Sequence, residues 1–187
     1  MKIKLAVPED AAELLAIYEN YIDTPITFEY ERPTLSEFVR RIVDTLENYP
    51  YLVGIENDKI VGYAYAHRLQ TRPAYQWSAE LSIYLVPQSS GHGLGQELYS
   101  CLIELLKIQG VRTVYGCVTS PNPRSEAFHE KLGFRRIGRF HNAGYKNGVW
   151  HDISWFEKNI AQYDEPEPLI PFREIPGELV DARLQGR

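Results

Sequence analysis

The sequence predicts a mixed α/β fold: a single central sheet of about seven strands, mostly antiparallel, flanked by helices. Three observations predict it. Apolar periodicity read along the chain gives the element order β α α β β β α β α β β. A polar pair, Asn57-Asp58, joins two strand-like runs closely enough for a tight hairpin, so neighbouring strands pair antiparallel. A glycine-rich turn after Glu80–Val86 hands a strand over to a long helix, which requires a crossover.

Each element has a local reason. Ile3 to Val7 reads as a strand, and Pro8-Glu9-Asp10 opens a helix, with proline near its first position and acids in its first turn. Leu14, Leu15, Tyr18 and Ile22 give that helix one apolar side before Asp23-Thr24-Pro25 breaks it. Thr27 to Tyr30 reads as a short extended piece. Thr34, with Glu37 three residues on, forms a capping box for a second helix to about Glu47, where Phe38, Ile42 and Leu46 recur.

Tyr51–Glu56 and Lys59–Leu69 are the hairpin strands, and Gln70 to Gln76 is a loop. From Leu94 the period changes: Leu94, Leu98, Cys101, Leu102, Leu105 and Leu106 share a helix face, and Gly110 closes it. Thr113–Thr119 is a strand, Ser120-Pro121-Asn122-Pro123 a break, and Arg124–Leu132 a short helix ending at Gly133. Phe134–Phe140 and Asp152–Glu157 read as strands separated by a loop holding Gly144, Asn147 and Gly148. The domain is expected to span residues 1–158. From Asn159 the chain turns proline-rich and acidic, so 159–187 reads as an extended tail.

Composition excludes several functions. The 187 residues suit one domain, and 44% hydrophobic content supplies a core. The net charge of −5 and the lack of a basic run argue against nucleic acid. The N-terminal stretch has no sustained apolar run, and nowhere is one long enough to cross a bilayer, so no membrane role and a cytoplasmic location are expected. Cys101 and Cys117 read as separate buried thiols, and His67, His92 and His141 lack clustered partners, so no metal is expected.

The turn Ser90-Gly91-His92-Gly93-Leu94-Gly95 is either a plain turn or an anion cradle. Unpaired N–H groups at a helix start attract phosphate, and glycines let it approach. It is not a P-loop, because no Gly-Lys-Ser/Thr follows, and its glycine spacing does not fit a dinucleotide fold.

Three separated motifs decide between these. The turn resembles the Q/R-x-x-G-x-G/A loop of the GCN5-related N-acetyltransferase (GNAT) superfamily, with Ser90 where glutamine or arginine is usual. The run from Asn122 to Phe134 is similar to that superfamily's N-x-x-A-x-x-x-Y-E-K-x-G-F, with His129 at the tyrosine position. The segments Arg72–Glu80 and Gly144–Asp152 resemble signatures of its phosphinothricin acetyltransferase family, over roughly residues 3 to 158.

The resemblance implies the acyl-CoA N-acyltransferase fold, acetyl-CoA as co-substrate, and a small-molecule amine acceptor in a homodimeric enzyme. It places acetyl-CoA at Leu85, Val86, Ser90, Gly91, His92, Gly93, Leu94, Gly95 and Asn122. It implies Glu80 as base, His129 in an acid-base role and Tyr99 as donor to the coenzyme sulfur. Phe28, Arg72, Tyr75 and Tyr84 would hold the acceptor, with the guanidinium of Arg72 on its carboxylate or phosphinate. Trp150, His151 and Asp152 would brace the last strand. The implied reaction is direct transfer to the α-amine of an amino acid such as phosphinothricin or methionine sulfoximine. The alternatives are another amine (a protein N-terminus, a polyamine, an aminoglycoside) or a non-catalytic acyl-CoA-binding module.

Overall fold

The structure is a computed structural model that describes residues 2–89 and 93–185. Seven strands form one sheet: β1 (Lys2–Leu5), β2 (Tyr51–Glu56), β3 (Lys59–Arg68), β4 (Ser78–Leu85), β5 (Thr113–Ser120), β6 (Arg135–Lys146) and β7 (Val149–Asn159). Their spatial order is β1-β2-β3-β4-β5-β7-β6, and β4–β5 is the parallel pair among antiparallel neighbours. The mixed, mostly antiparallel sheet expected from the sequence is therefore present.

Among the described residues five α-helices cover it: α1 (Ala11–Ile22), α2 (Leu35–Asn48), α3 (Leu94–Gln109), α4 (Pro123–Lys131) and α5 (Gly177–Gln185). On one face α1 and α2 bury Leu14, Tyr18, Phe38 and Ile42 against Tyr51 and Tyr63. On the other, α3 buries Leu98, Leu102, Leu105 and Leu106 against Leu52, Ala64 and Leu81. The capping box is made: Thr34 Oγ1 accepts from the Glu37 N–H at 3.3 Å, and Glu37 Oε2 accepts from the Thr34 N–H at 2.7 Å. Asn57 and Asp58 carry φ of 49° and 59°, the left-handed pair that a two-residue hairpin of type I′ requires.

Three expectations are corrected. Thr27 to Tyr30 is irregular rather than extended, because its polar groups are taken by side chains: Tyr18 bonds the Thr27 hydroxyl at 2.6 Å and Lys146 Nζ donates to the Thr27 carbonyl. The loop expected between the last two strands is mostly strand. β6 and β7 form one long hairpin turned at Asn147-Gly148, with an irregularity between Phe140 and Gly144. Asp152 fills that bulge, accepting from Asn142 N at 2.9 Å and pairing with Arg139 Nε and His141 Nδ1 at 3.0 Å. The broken alternation there is what hides the strands from a period-two reading. After Asn159 the chain does not stay extended: Phe172, Ile175 and Val180 are buried in the α3-side core, which seats α5.

The feature that matters for function lies at the centre of the sheet. β4 and β5 pair only over Ser78–Glu80 with Thr113–Tyr115, although each strand is 8 residues long. β5 stays paired with β7 along its whole length, so the two central strands part after Glu80 and leave a wedge.

Candidate active site

The wedge has a polar wall made of backbone. Val86 N donates to Val61 O at 2.9 Å, so by the alternation of an antiparallel ladder the even-numbered residues of β4 serve β3. The N–H and C=O of Leu81, Ile83 and Leu85 then face the wedge. Leu85 is satisfied by the Tyr21 hydroxyl, which accepts from its N–H at 3.3 Å and donates to its carbonyl. Ile83 is left to pair with an extended, amide-bearing ligand as an added strand would.

A roof covers the wedge. The α1–α2 loop crosses to the β6–β7 hairpin, held by Tyr30 to the Tyr145 carbonyl, Lys146 to Thr27, and Asn147 Nδ2 to the Asp23 carbonyl at 2.9 Å. The Phe28 ring occupies the space a Cβ at Gly144 would fill, which is why that strand position carries glycine. Ile26 of this loop lines two cavities of about 80 and 200 Å³ that also share Ile83, Asn122 and Ser125, so they form one channel.

The outer part of the channel suits an anion. It is lined by Gly95 and Arg124, and Glu97 N makes the first bond of α3, to Gly93 O at 3.1 Å. The N–H groups of Leu94, Gly95 and Gln96 precede that bond and have no partner within the helix. A Cβ at Gly95 would lie 3.1 Å from Phe128 and 3.4 Å from Ile83, so any larger residue would press on both side chains. Gly93, at φ 91°, is the residue before α3. Ser90, Gly91 and His92 lie outside the described residues. Asn122 Oδ1 caps α4 by accepting from Ser125 N at 3.2 Å, and its residue also lines the channel.

The inner part is lined by Tyr99, Cys117 and His129. His129 is 3% exposed, packed among Tyr99, Phe128, Phe134 and Phe156. Its Nδ1 lies 2.8 Å from the Ser125 carbonyl, which can only accept, so the proton sits on Nδ1. Nε2 is buried with no partner and faces Gly116, where a Cβ would stand 2.4 Å from it. Burial lowers the His129 pKa, partly offset by the Ser125 carbonyl, so the ring is neutral with a lone pair on Nε2. Tyr99 is also buried, and burial followed by the charge of Glu80 raises its pKa, which keeps the phenol protonated.

Glu80 is the last paired residue before the strands part. Burial raises its pKa, and His67, with Nε2 3.9 Å from Oε1, opposes the shift. The Cys117 thiol is pushed up to about 12 by burial and then by Glu80, so it is not a thiolate at neutral pH.

The four expected acceptor residues lie on three different segments. Tyr84 lines the inner cavity but packs on Tyr18, Tyr21 and Tyr63 at centroid distances of 5.0–5.3 Å. Arg72 and Tyr75 are exposed on the β3–β4 loop, and Arg72 has no acidic partner among the described residues. Phe28 lies on the roof. Sequence reading missed Ile26, Arg124 and Cys117: Arg124 lies inside the Asn122–Phe134 motif at a position the motif leaves open, Cys117, expected to be a buried strand thiol, is exposed, and Ile26 arrives through a loop with no periodic signal. No cluster of three metal-ligating side chains occurs among the described residues.

Comparison with known proteins agrees with this geometry. The acetyltransferase (GNAT) domain family model matches residues 3–155. The phosphinothricin N-acetyltransferase of Streptomyces viridochromogenes is 31% identical, over 94% of this chain and 96% of its own. The L-methionine sulfoximine/L-methionine sulfone acetyltransferase of Salmonella typhimurium is 27% identical over 89% of this chain and 99% of its own. Among solved structures, a phosphinothricin acetyltransferase from Sinorhizobium meliloti in complex with acetyl-CoA superposes with a TM-score of 0.86 at 30% identity, covering 91% of this chain and 96% of that one.

Proposed function

Because the chain belongs to the GNAT acetyltransferase family, we propose that it transfers the acetyl group of acetyl-CoA to the α-amine of a small amino acid of the phosphinothricin or methionine sulfoximine type. The observation that carries this reading is the wedge after Glu80, with the orphaned Nε2 of His129 on its floor and the start of α3 at its mouth. The residues fit the coenzyme: Leu94–Gln96 N–H groups and Arg124 for phosphates, and the Ile83 backbone for the amide-bearing arm.

When bound, acetyl-CoA supplies the activated thioester. Glu80 takes a proton from the acceptor ammonium, directly or through water, leaving a neutral nucleophile. His129 Nε2, which has no proton to give in its resting tautomer, can act only as an acceptor, taking a hydrogen bond from a water that enters beside Gly116. Tyr99 keeps its phenol proton and donates to the departing sulfur. Transfer is direct, since the Cys117 thiol is protonated and Cys101 is buried. Arg72 binds the acceptor carboxylate from the β3–β4 loop.

A panel of amines assayed by release of free coenzyme thiol tests this. Phosphinothricin and methionine sulfoximine should be acetylated, and a polyamine and an aminoglycoside should not. Binding of acetyl-CoA with no turnover of any amine would instead favour a non-catalytic module. Arg124→Ala should raise KM for acetyl-CoA about fivefold at low salt, an effect that shrinks as salt rises, because one exposed ion contact is involved.

A homodimer and a cytoplasmic site of action are part of the same reading. The β6–β7 hairpin exposes Phe140, Tyr145, Val149 and Trp150, at 48–60% of their surface, along the sheet edge. Sedimentation should show a dimer for the parent chain and a monomer for Trp150→Glu; a monomeric parent would end the dimer proposal. Cys101 and Cys117 form no disulfide, which suits a reducing compartment, and no helix among the described residues is long and apolar enough to cross a membrane.

A further inference from the structure

A second cavity, of about 420 Å³, lies between α2 and the outer face of β2–β3, and nothing in the proposed reaction uses it. Its size is that of a ligand site rather than a packing defect. Its floor is formed by Tyr51, Tyr63 and Tyr65, standing nearly parallel with ring centroids 4.8–6.4 Å apart. Side chains stand roughly perpendicular to a sheet, so the hydroxyls form the tips of this floor. Tyr51 and Tyr63 are 2% and 1% exposed, and neither hydroxyl bonds a described residue. Two buried phenols are thus left with donors aimed into a cavity.

The charges around it are unequal. The guanidiniums of Arg41 and Arg68 line it against one carboxylate, Asp44. Arg41 also pairs with Glu29 at 2.8 Å, and Arg68 bonds the Tyr49 hydroxyl. His67 lines the same cavity and lies 3.9 Å from Glu80, so the space begins beside the proposed base. Tyr65, paired across strands with both Tyr51 and Ser82, continues the row.

We propose that this cavity is the distal half of the acceptor site and takes the second residue of a dipeptide-sized amine ending in a carboxylate. The inference rests on the acetyltransferase reading and extends it. Glu80 on β4 lies opposite His67 and Tyr51 on β2 lies opposite Tyr65, so two strand spacings of about 10 Å in all and a two-residue offset of about 7 Å separate them by about 12 Å. One residue spans only about 3.5 Å and stops short of the donors. Two residues span about 7 Å, and hydrogen bonds of about 2.8 Å at the amine and carboxylate ends close the remainder. The terminal carboxylate then meets the Tyr51 and Tyr63 hydroxyls and Arg41.

The test compares L-methionine, L-methionyl-L-alanine and L-methionyl-L-alanine amide as acceptors at saturating acetyl-CoA, with L-methionine sulfoximine as reference. The dipeptide should exceed methionine at least tenfold in kcat/KM, and the amide should lose that gain. A Tyr51→Phe/Tyr63→Phe double variant should lower the dipeptide-to-methionine ratio at least fivefold through KM, and Thr45→Trp, which fills the cavity from α2, should do the same. If the sulfoximine is acetylated while the dipeptide is no better than methionine, or its amide is equally good, the inference falls and the reaction stands. If no α-amine of either length is acetylated, both fall.

Discussion

Glu80→Gln is expected to lower kcat about a hundredfold at neutral pH while acetyl-CoA binding stays within a factor of about two. The loss should be greatest where the acceptor amine is protonated and should shrink as pH rises past the amine's own pKa, since free amine then needs no base. Stability should move the other way. Burial holds the Glu80 carboxyl above its ordinary pKa, so the folded state favours the protonated form. That contribution is full below the ordinary value near 4.5 and is lost as pH rises through the raised one. At pH 7 the variant, which cannot ionise, should melt no lower than the parent. Full activity across pH in Glu80→Gln would remove Glu80 from the mechanism.

His129→Phe carries the second large effect, on activity far more than on stability. Replacing the ring by an apolar one of similar shape removes a buried nitrogen that has no partner, and the surrounding Phe128, Phe134 and Phe156 already form an apolar site. The variant also gives up the 2.8 Å bond from Nδ1 to the Ser125 carbonyl, so the two changes should nearly cancel and Tm at neutral pH should stay within about 3 °C of the parent. The folded pKa of His129 lies below its ordinary value of 6.5. Its folded form therefore loses stability as pH falls through about 6.5, so the variant should gain on the parent in acid. kcat should drop about a hundredfold. A variant that is both less stable and fully active would make His129 a structural residue.

Both predictions follow from groups that the fold leaves strained in charge or hydrogen bonding, which is where site and scaffold compete. Their positions were legible in the sequence to different degrees. The strand-turn-helix around Glu80 and Gly95 could be read because period and glycines change abruptly there, and His129 because its motif places it seven residues after Asn122 on one short helix. The parting of β4 from β5 could not be read: a strand that loses its neighbour keeps the same alternation as one that does not. The tyrosine-floored cavity was equally hidden, since Tyr51, Tyr63 and Tyr65 read simply as β-favouring core residues until Arg41 and Asp44 arrive from α2. The β6–β7 hairpin was shortened because its bulge breaks alternation. The segment after Asn159 was misread because three buried apolar side chains, rather than local propensity, hold it down.

The most direct test of the central claim is a crystal structure of the chain with acetyl-CoA. The pyrophosphate should lie on the N–H groups of Leu94–Gln96 beside Arg124, the amide arm should pair with the Ile83 backbone, and the thioester should end between Glu80 and His129. Coenzyme bound elsewhere, or bound here with its arm clear of β4 and its thioester remote from both residues, would contradict the account.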